Sequence, residues 1–135
     1  MSLPATRPLI AAIITAGCLA GTPAQASDPF PFGRELLLDT APMRGSKRIP
    51  GLDIAQDGSV TIDLWCKSVP GQMIVAGNTI TIIADIAPER ACPPERARGD
   101  DDLLDALSQV TQWRVDGHAL ILTGGRTLRY RFQTN

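Results

Sequence analysis

Two residue types that could form a reactive centre are sparse in this chain: the cysteines Cys18, Cys66 and Cys92, and a single histidine, His118. A thiol nucleophile needs a cysteine beside a base that lowers its pKa, and His118 is the one imidazole on offer. Its place after Asp116-Gly117, a turn signal, reads more simply as a surface residue on a hairpin. Zinc held by Cys66, Cys92 and His118 would lack the close paired spacing of structural sites. Asp100-Asp101-Asp102 invites calcium, but calcium loops alternate their ligands and add a distal Glu, so helix capping is the better reading. There is no Gly-x-Ser-x-Gly, phosphate loop or dinucleotide fingerprint. The sequence therefore predicts no enzyme, no metal and no cofactor, with catalysis through Cys66 or Cys92 as a remaining alternative.

A disulfide is the simpler use of Cys66 and Cys92, and it depends on export. Met1 to Ala26 reads as a signal peptide: Arg7 precedes an apolar run from Leu9 to Ala20, and Ala24-Gln25-Ala26 supplies small residues for cleavage. The run is too short to span a bilayer as a helix. A competing reading takes Thr15-Ala16-Gly17-Cys18 as a lipoprotein signal, with Cys18 lipidated as the new N-terminus, although Thr15 stands where an aliphatic residue is usual. Either route places the chain in a periplasmic or secreted setting, membrane-anchored only if Cys18 is lipidated. Both leave Cys66 and Cys92 as the one pair in an oxidising compartment. Closing a loop of about 26 residues would disfavour the unfolded chain by about 3.5 kcal/mol, a large share for a domain of this size.

The elements that must hold this pair are short strands. Residues 27–35 contain Pro29 and Pro31 and read as an extended lead-in, with the domain proper over 36–135, starting near Leu36-Leu37-Leu38. The stretch Ala41 to Pro50 reads as a solvated basic loop. Leu52 to Ala55 and Ser59 to Cys66 flank Gln56-Asp57-Gly58, a strong hairpin signal. On the second strand Val60, Ile62, Leu64 and Cys66 share the apolar face, and Trp65 points the other way. A Ser68-Val69-Pro70-Gly71 turn should lead to strands Gln72 to Ala76 and Thr79 to Ile83 around Gly77-Asn78. Pro88, Pro93 and Pro94 then bracket Cys92 in a surface strap.

One amphipathic helix is predicted after Gly99, with Asp100 to Asp102 at its start and Leu103, Leu104, Leu107 and Val110 as its apolar stripe. The last third predicts a three-stranded meander: Gln112 to Val115, His118 to Thr123 and Arg126 to Phe132. The fold class is thus α+β, mostly β: a curled antiparallel sheet or incomplete β-barrel of hairpins with one helix over an open edge. Arg114, Arg129 and Arg131 would form an outer basic row. With a formal net charge of −1 and export, that row reads as a solvated face or protein interaction surface rather than a nucleic-acid site.

A cysteine ending a strand, a second in an Ala91-Cys92 step, a short amphipathic helix and a terminal meander together resemble the META domain (HslJ-like) family of bacterial envelope proteins. The likeness runs from Leu36 to Phe132. It is best from Asp101-Asp102-Leu103-Leu104 through Leu120-Ile121-Leu122 to Leu128-Arg129-Tyr130-Arg131-Phe132. The family's Gly-Cys-Asn step is Trp65-Cys66-Lys67 here, and its Thr-x-Met-Ala-Cys is Pro88-Glu89-Arg90-Ala91-Cys92. A role tied to that Asn does not carry over.

The resemblance implies a small β-rich domain, secreted or lipid-anchored, associated with stress tolerance and similar to cracked-barrel lipoproteins. The function expected is a non-enzymatic exported domain that binds an envelope partner or serves the envelope stress response. The alternative is a carrier, with a lipid or small apolar ligand held between the barrel and the Leu103-Leu104-Leu107 helix. Trp65, standing where the family has Gly, marks a protein-specific surface.

Overall fold

The alternation of apolar and polar residues along short segments produces eight strands, each connected to the next by a turn or loop except β5 and β6. In the computed structural model these are β1 Arg34–Leu38, β2 Gly51–Ile54, β3 Ser59–Asp63, β4 Ser68–Ala76, β5 Thr79–Ala84, β6 Gln112–Asp116, β7 Ala119–Thr123 and β8 Thr127–Phe132. One helix, α1 Pro94–Ser108, lies between β5 and β6. The structure describes residues 2–5, 8, 11–14, 16–18, 21 and 29–134. Thr15, the cleavage positions Ala24-Gln25-Ala26 and the start of the lead-in lie outside the described residues. Among the described residues no helix is long and apolar enough to cross a membrane.

The strands pair in sequence order, all antiparallel, and β8 returns to β1, so the sheet closes into a barrel. Closure is uneven. The β7–β8 ladder runs over five residue pairs, from Ala119↔Arg131 to Thr123↔Thr127, whereas β5 and β6 meet at Thr79↔Gln112 alone. The chain leaves the barrel at this seam to form the strap and α1. Inward side chains fill the interior: Leu36, Leu52, Ile54, Ile62, Leu120, Leu122 and Tyr130 are buried, with Leu103 and Leu107 of α1 joined to the same core. The Asp57-Gly58 hairpin forms as its sequence demands. Gly58 has φ +88°, and a Cβ there would lie 2.8 Å from the Met73 carbonyl oxygen.

Four local expectations are corrected. First, Ser68-Val69-Pro70-Gly71 is not a turn but the first part of β4. Pro70 is tolerated because its carbonyl accepts from the Asp85 N–H, one residue past β5, so its missing donor falls where that ladder ends. Second, the turn comes earlier: β3 stops at Asp63, and Leu64 to Lys67 make the connection, closed by the Leu64 N–H donating to the Lys67 carbonyl at 2.8 Å. Cys66 is buried as expected, but from a turn.

Third, α1 starts at Pro94 rather than after Gly99. Proline at the first helical position costs no hydrogen bond and arrives with a helical φ, so the prolines begin this helix instead of excluding it. Asp100 to Asp102 therefore sit in its second and third turns and do not cap it; Glu95 is the acid in the first turn. Fourth, β1 begins at Arg34, inside the predicted lead-in, and Phe30 is buried, edge-on to Trp113 with ring centroids 5.1 Å apart.

Candidate functional site

The turn from Leu64 to Lys67 is held from three directions. Cys66 is joined to Cys92 of the strap, with Cα atoms 6.0 Å apart, so the expected disulfide is present. From below, the buried Asp100 accepts the Cys66 N–H on Oδ1 at 3.0 Å and the Lys67 N–H on Oδ2 at 2.9 Å. From the side, Arg48 donates through Nε to the Leu64 carbonyl at 2.8 Å and through Nη2 to the Lys67 carbonyl at 3.0 Å. Arg48 also meets Asp63 at 3.7 Å. The basic loop is thus not wholly solvated, because its Arg48 binds the Leu64 carbonyl and adds a second donor to the Lys67 carbonyl that already closes the turn.

This fixed turn presents Trp65. Its indole lies across α1 at Gly99, where a Cβ would come within 2.7 Å of Trp65 Cδ1 and 2.5 Å of Met43 Cε. Glycine inside a helix costs about 1 kcal/mol relative to alanine, and here the missing side chain makes room for the tryptophan. The result is a groove of about 460 Å³ at one end of the barrel, floored by Leu38, Met43, Trp65, Leu103 and Leu128. Asp39, Asp102, Arg126 and Arg129 add charge to its walls as the pairs Arg126–Asp102 at 3.2 Å and Arg129–Asp39 at 3.4 Å. Trp113 Nε1 donates to the Gly77 carbonyl at 2.8 Å, whereas among the described residues Trp65 Nε1 has no acceptor. The groove therefore offers an apolar floor, one free donor and two exposed ion pairs whose members can exchange partners.

The remaining predicted residues fall outside the groove or at its edge. Arg114, Arg129 and Arg131 do share the outer face of the meander, but as a network: Arg114–Asp116 at 3.5 Å, Arg129–Asp116 at 3.6 Å and Arg131–Asp39 at 3.2 Å. Between Arg114 and Arg129 in the register, Ile121 is buried although it points outward, which fits aliphatic arginine stems laid over it. His118 is exposed in the β6–β7 turn and is not gathered with the cysteines. Cys18 is a free, exposed thiol.

Sequence reasoning missed Asp100, Arg48 and Met43. A signal for Asp100 existed, since it stands three and seven residues before Leu103 and Leu107 and so shares their face of α1. No local pattern marked Arg48 or Met43.

A closed, sequentially paired eight-stranded barrel, with a helix inserted before β6 and a disulfide from the β3–β4 turn to the strap, defines a small β-barrel domain class. A family model described as the META domain matches residues 35–135, and the chain belongs to that family. None of the curated proteins matches it.

Two solved structures share the fold. One is a protein from Burkholderia xenovorans determined by NMR, 14% identical, with a TM-score of 0.64 over 86% of this chain and 97% of that one. The other, also an NMR structure, is 14% identical, with a TM-score of 0.58 over 73% of this chain and 88% of that one.

Proposed function

We propose that this chain is a non-enzymatic, exported META domain that binds a partner protein of the bacterial envelope, seating an apolar partner side chain in the Trp65 groove. The observation that carries this reading is the groove itself: an apolar floor of buried and half-buried side chains with an unpartnered indole donor, built on a turn held by a disulfide, a carboxylate and a guanidinium. Rigid, pre-formed anchoring pockets rimmed by charge are the usual centres of protein interfaces. The mixed-sign walls favour a partner that flanks its apolar anchor with both charges. Export is supported by the character of Met1 to Ala26 and by the paired cysteines. The carrier alternative is less favoured, because Leu103, Ala106 and Leu107 fill the space between α1 and the barrel.

A photo-crosslinking amino acid placed at Met43 in the groove, and separately at Gln72 on the outer face of β4, tests this in cells. The expected outcome is one discrete protein adduct from position 43, absent from position 72 and lost when Trp65→Ala is added. Equal adducts from both positions, or none from position 43, would sink the reading. Intact mass of the exported protein separates cleavage after Ala26 from a diacylglyceryl-modified Cys18.

A further inference from the structure

Where the turn, the strap and α1 meet, the sulfurs of Cys66 and Cys92 and a carboxylate oxygen of Asp100 all lie within 4.8 Å of one another. Asp100 is 2% exposed. Its hydrogen-bond partners are the N–H groups of Cys66 and Lys67, and among the described residues no cationic side chain pairs with it. A buried carboxylate is costly unless compensated, and two amide dipoles suffice while the adjacent sulfurs are neutral in a disulfide. Reduction would change that balance. Two thiols able to ionise would then share the space with a fixed carboxylate, and each further negative charge would raise the cost of the next.

We propose that the reduced form of this chain binds Zn²⁺ through Cys66 Sγ, Cys92 Sγ and one oxygen of Asp100, with water in the fourth position. Thiolate and carboxylate donors suit zinc at about 2.3 and 2.1 Å, which asks the two sulfurs to stand about 3.8 Å apart in a tetrahedral site. The segments can meet this. Asp100 and Cys66 are fixed by α1 and the turn, while Cys92 lies in a strap without regular structure and is free to draw back. Each Asp100 oxygen accepts one N–H and keeps a lone pair, and those N–H bonds aim the carboxylate as outer-shell partners of metal ligands do.

The chemistry balances with a phosphine and water as reductant. The phosphine becomes its oxide, the S–S bond takes up two electrons and two protons, and two thiols form. Zinc then displaces both thiol protons to solvent, leaving a site of net charge −1. Disulfide and zinc are mutually exclusive, so the ion guards the thiols and oxidation expels it.

The test uses the full chain carrying Cys18→Ser, to remove the third thiol, reduced by a phosphine and titrated anaerobically with Co²⁺ as probe and Zn²⁺ as competitor. The expected result is one Co²⁺ per chain with thiolate charge-transfer and tetrahedral bands, displaced by Zn²⁺ and absent from the oxidised protein. Asp100→Asn, which removes a direct anionic ligand, should weaken binding by at least the roughly 10- to 100-fold that loss of an outer-shell partner alone produces. Cys92→Ser, which leaves Asp100 and its turn bonds in place, should abolish it. No Co²⁺ bound by the reduced protein, or affinity unchanged in Cys92→Ser or in a folded Asp100→Asn, overturns the proposal. Should Asp100→Asn not fold, Cys92→Ser decides.

Discussion

Tyr130 is fully buried inside the barrel, and among the described residues its hydroxyl has no hydrogen-bond partner. Its ring fills core volume, so the phenyl contributes while the oxygen costs, by about 1–3 kcal/mol for an unsatisfied buried polar group. Tyr130→Phe removes only the cost, and the expected outcome in denaturant melts is unchanged or raised stability, by up to about 1 kcal/mol. A clear loss would reveal a partner, such as a trapped water. Burial also pushes the phenol's pKa up, against a smaller opposing pull from Arg126. A folded-state pKa above the unfolded one gives stability that is whole below the unfolded value of 10.0 and is lost as pH rises beyond it. Wild type should therefore destabilise more steeply above that pH than Tyr130→Phe, a difference measurable by thermal melts across the alkaline range. Asp100 teaches a different lesson at this scale. Its spacing to Leu103 and Leu107 places it on the buried face, yet Asp101 and Asp102 beside it make the three look like a capping run. What set it apart was the turn it would meet, more than 30 residues earlier in the chain, which no local window contains.

Helix α1 and the Leu64 to Lys67 turn act as one unit joined through Gly99, Trp65, Asp100 and the disulfide. Its two halves differed in how readable they were. The apolar stripe of α1 is local and was legible; its start was not, because Pro93 and Pro94 signal both the end of one element and the first turn of another, and only the register of the strap decides. The coupling between Gly99 and Trp65 is testable as a cycle. Gly99→Ala alone gains helix propensity, about 1 kcal/mol, but drives a Cβ into the indole, and overpacking of this kind typically costs about 1–3 kcal/mol. Met43 approaches Gly99 with the end of a flexible side chain and can move away, so the indole decides the sign. In a Trp65→Ala background the same Gly99→Ala change should instead stabilise by up to about 1 kcal/mol. Thermal melts of the four proteins read the coupling directly, and additive effects would mean that the indole does not rest on the helix at Gly99. The same pair tunes the groove, since an alanine at position 99 displaces the side chain that floors it.

At the scale of the whole barrel, most of the architecture was legible because it is made of hairpins. Asp57-Gly58, Gly77-Asn78, Asp116-Gly117 and Gly124-Gly125 each join neighbouring strands, and period-two alternation then assigns their inner faces. Full closure was not legible, because pairing of β1 with β8 joins the two ends of the domain and leaves no mark in either strand. Nor was the seam, where β5 and β6 share a single residue pair and the intervening chain forms the strap and α1, which packs beside β5. That asymmetry makes a claim about motion. Local opening is cheapest where the fewest ladder bonds must break, so the barrel should open at the β5–β6 seam and not at the β1–β8 closure or within the meander. Native-state hydrogen exchange reads this at named amides. The seam amides of Ile80 and Trp113, which donate to the Thr111 and Asn78 carbonyls, should exchange through smaller openings than the amides of Leu120 and Tyr130 in the β7–β8 region. Reducing the Cys66–Cys92 bond should lower protection first at the seam and along α1, because it frees from the β3–β4 turn the strap that leads from β5 into the helix. Uniform protection around the barrel, or a loss on reduction that begins in the meander, would contradict a seam-first opening and, with it, the disulfide's role in steadying the strap and α1 that the chain forms at this weak joint.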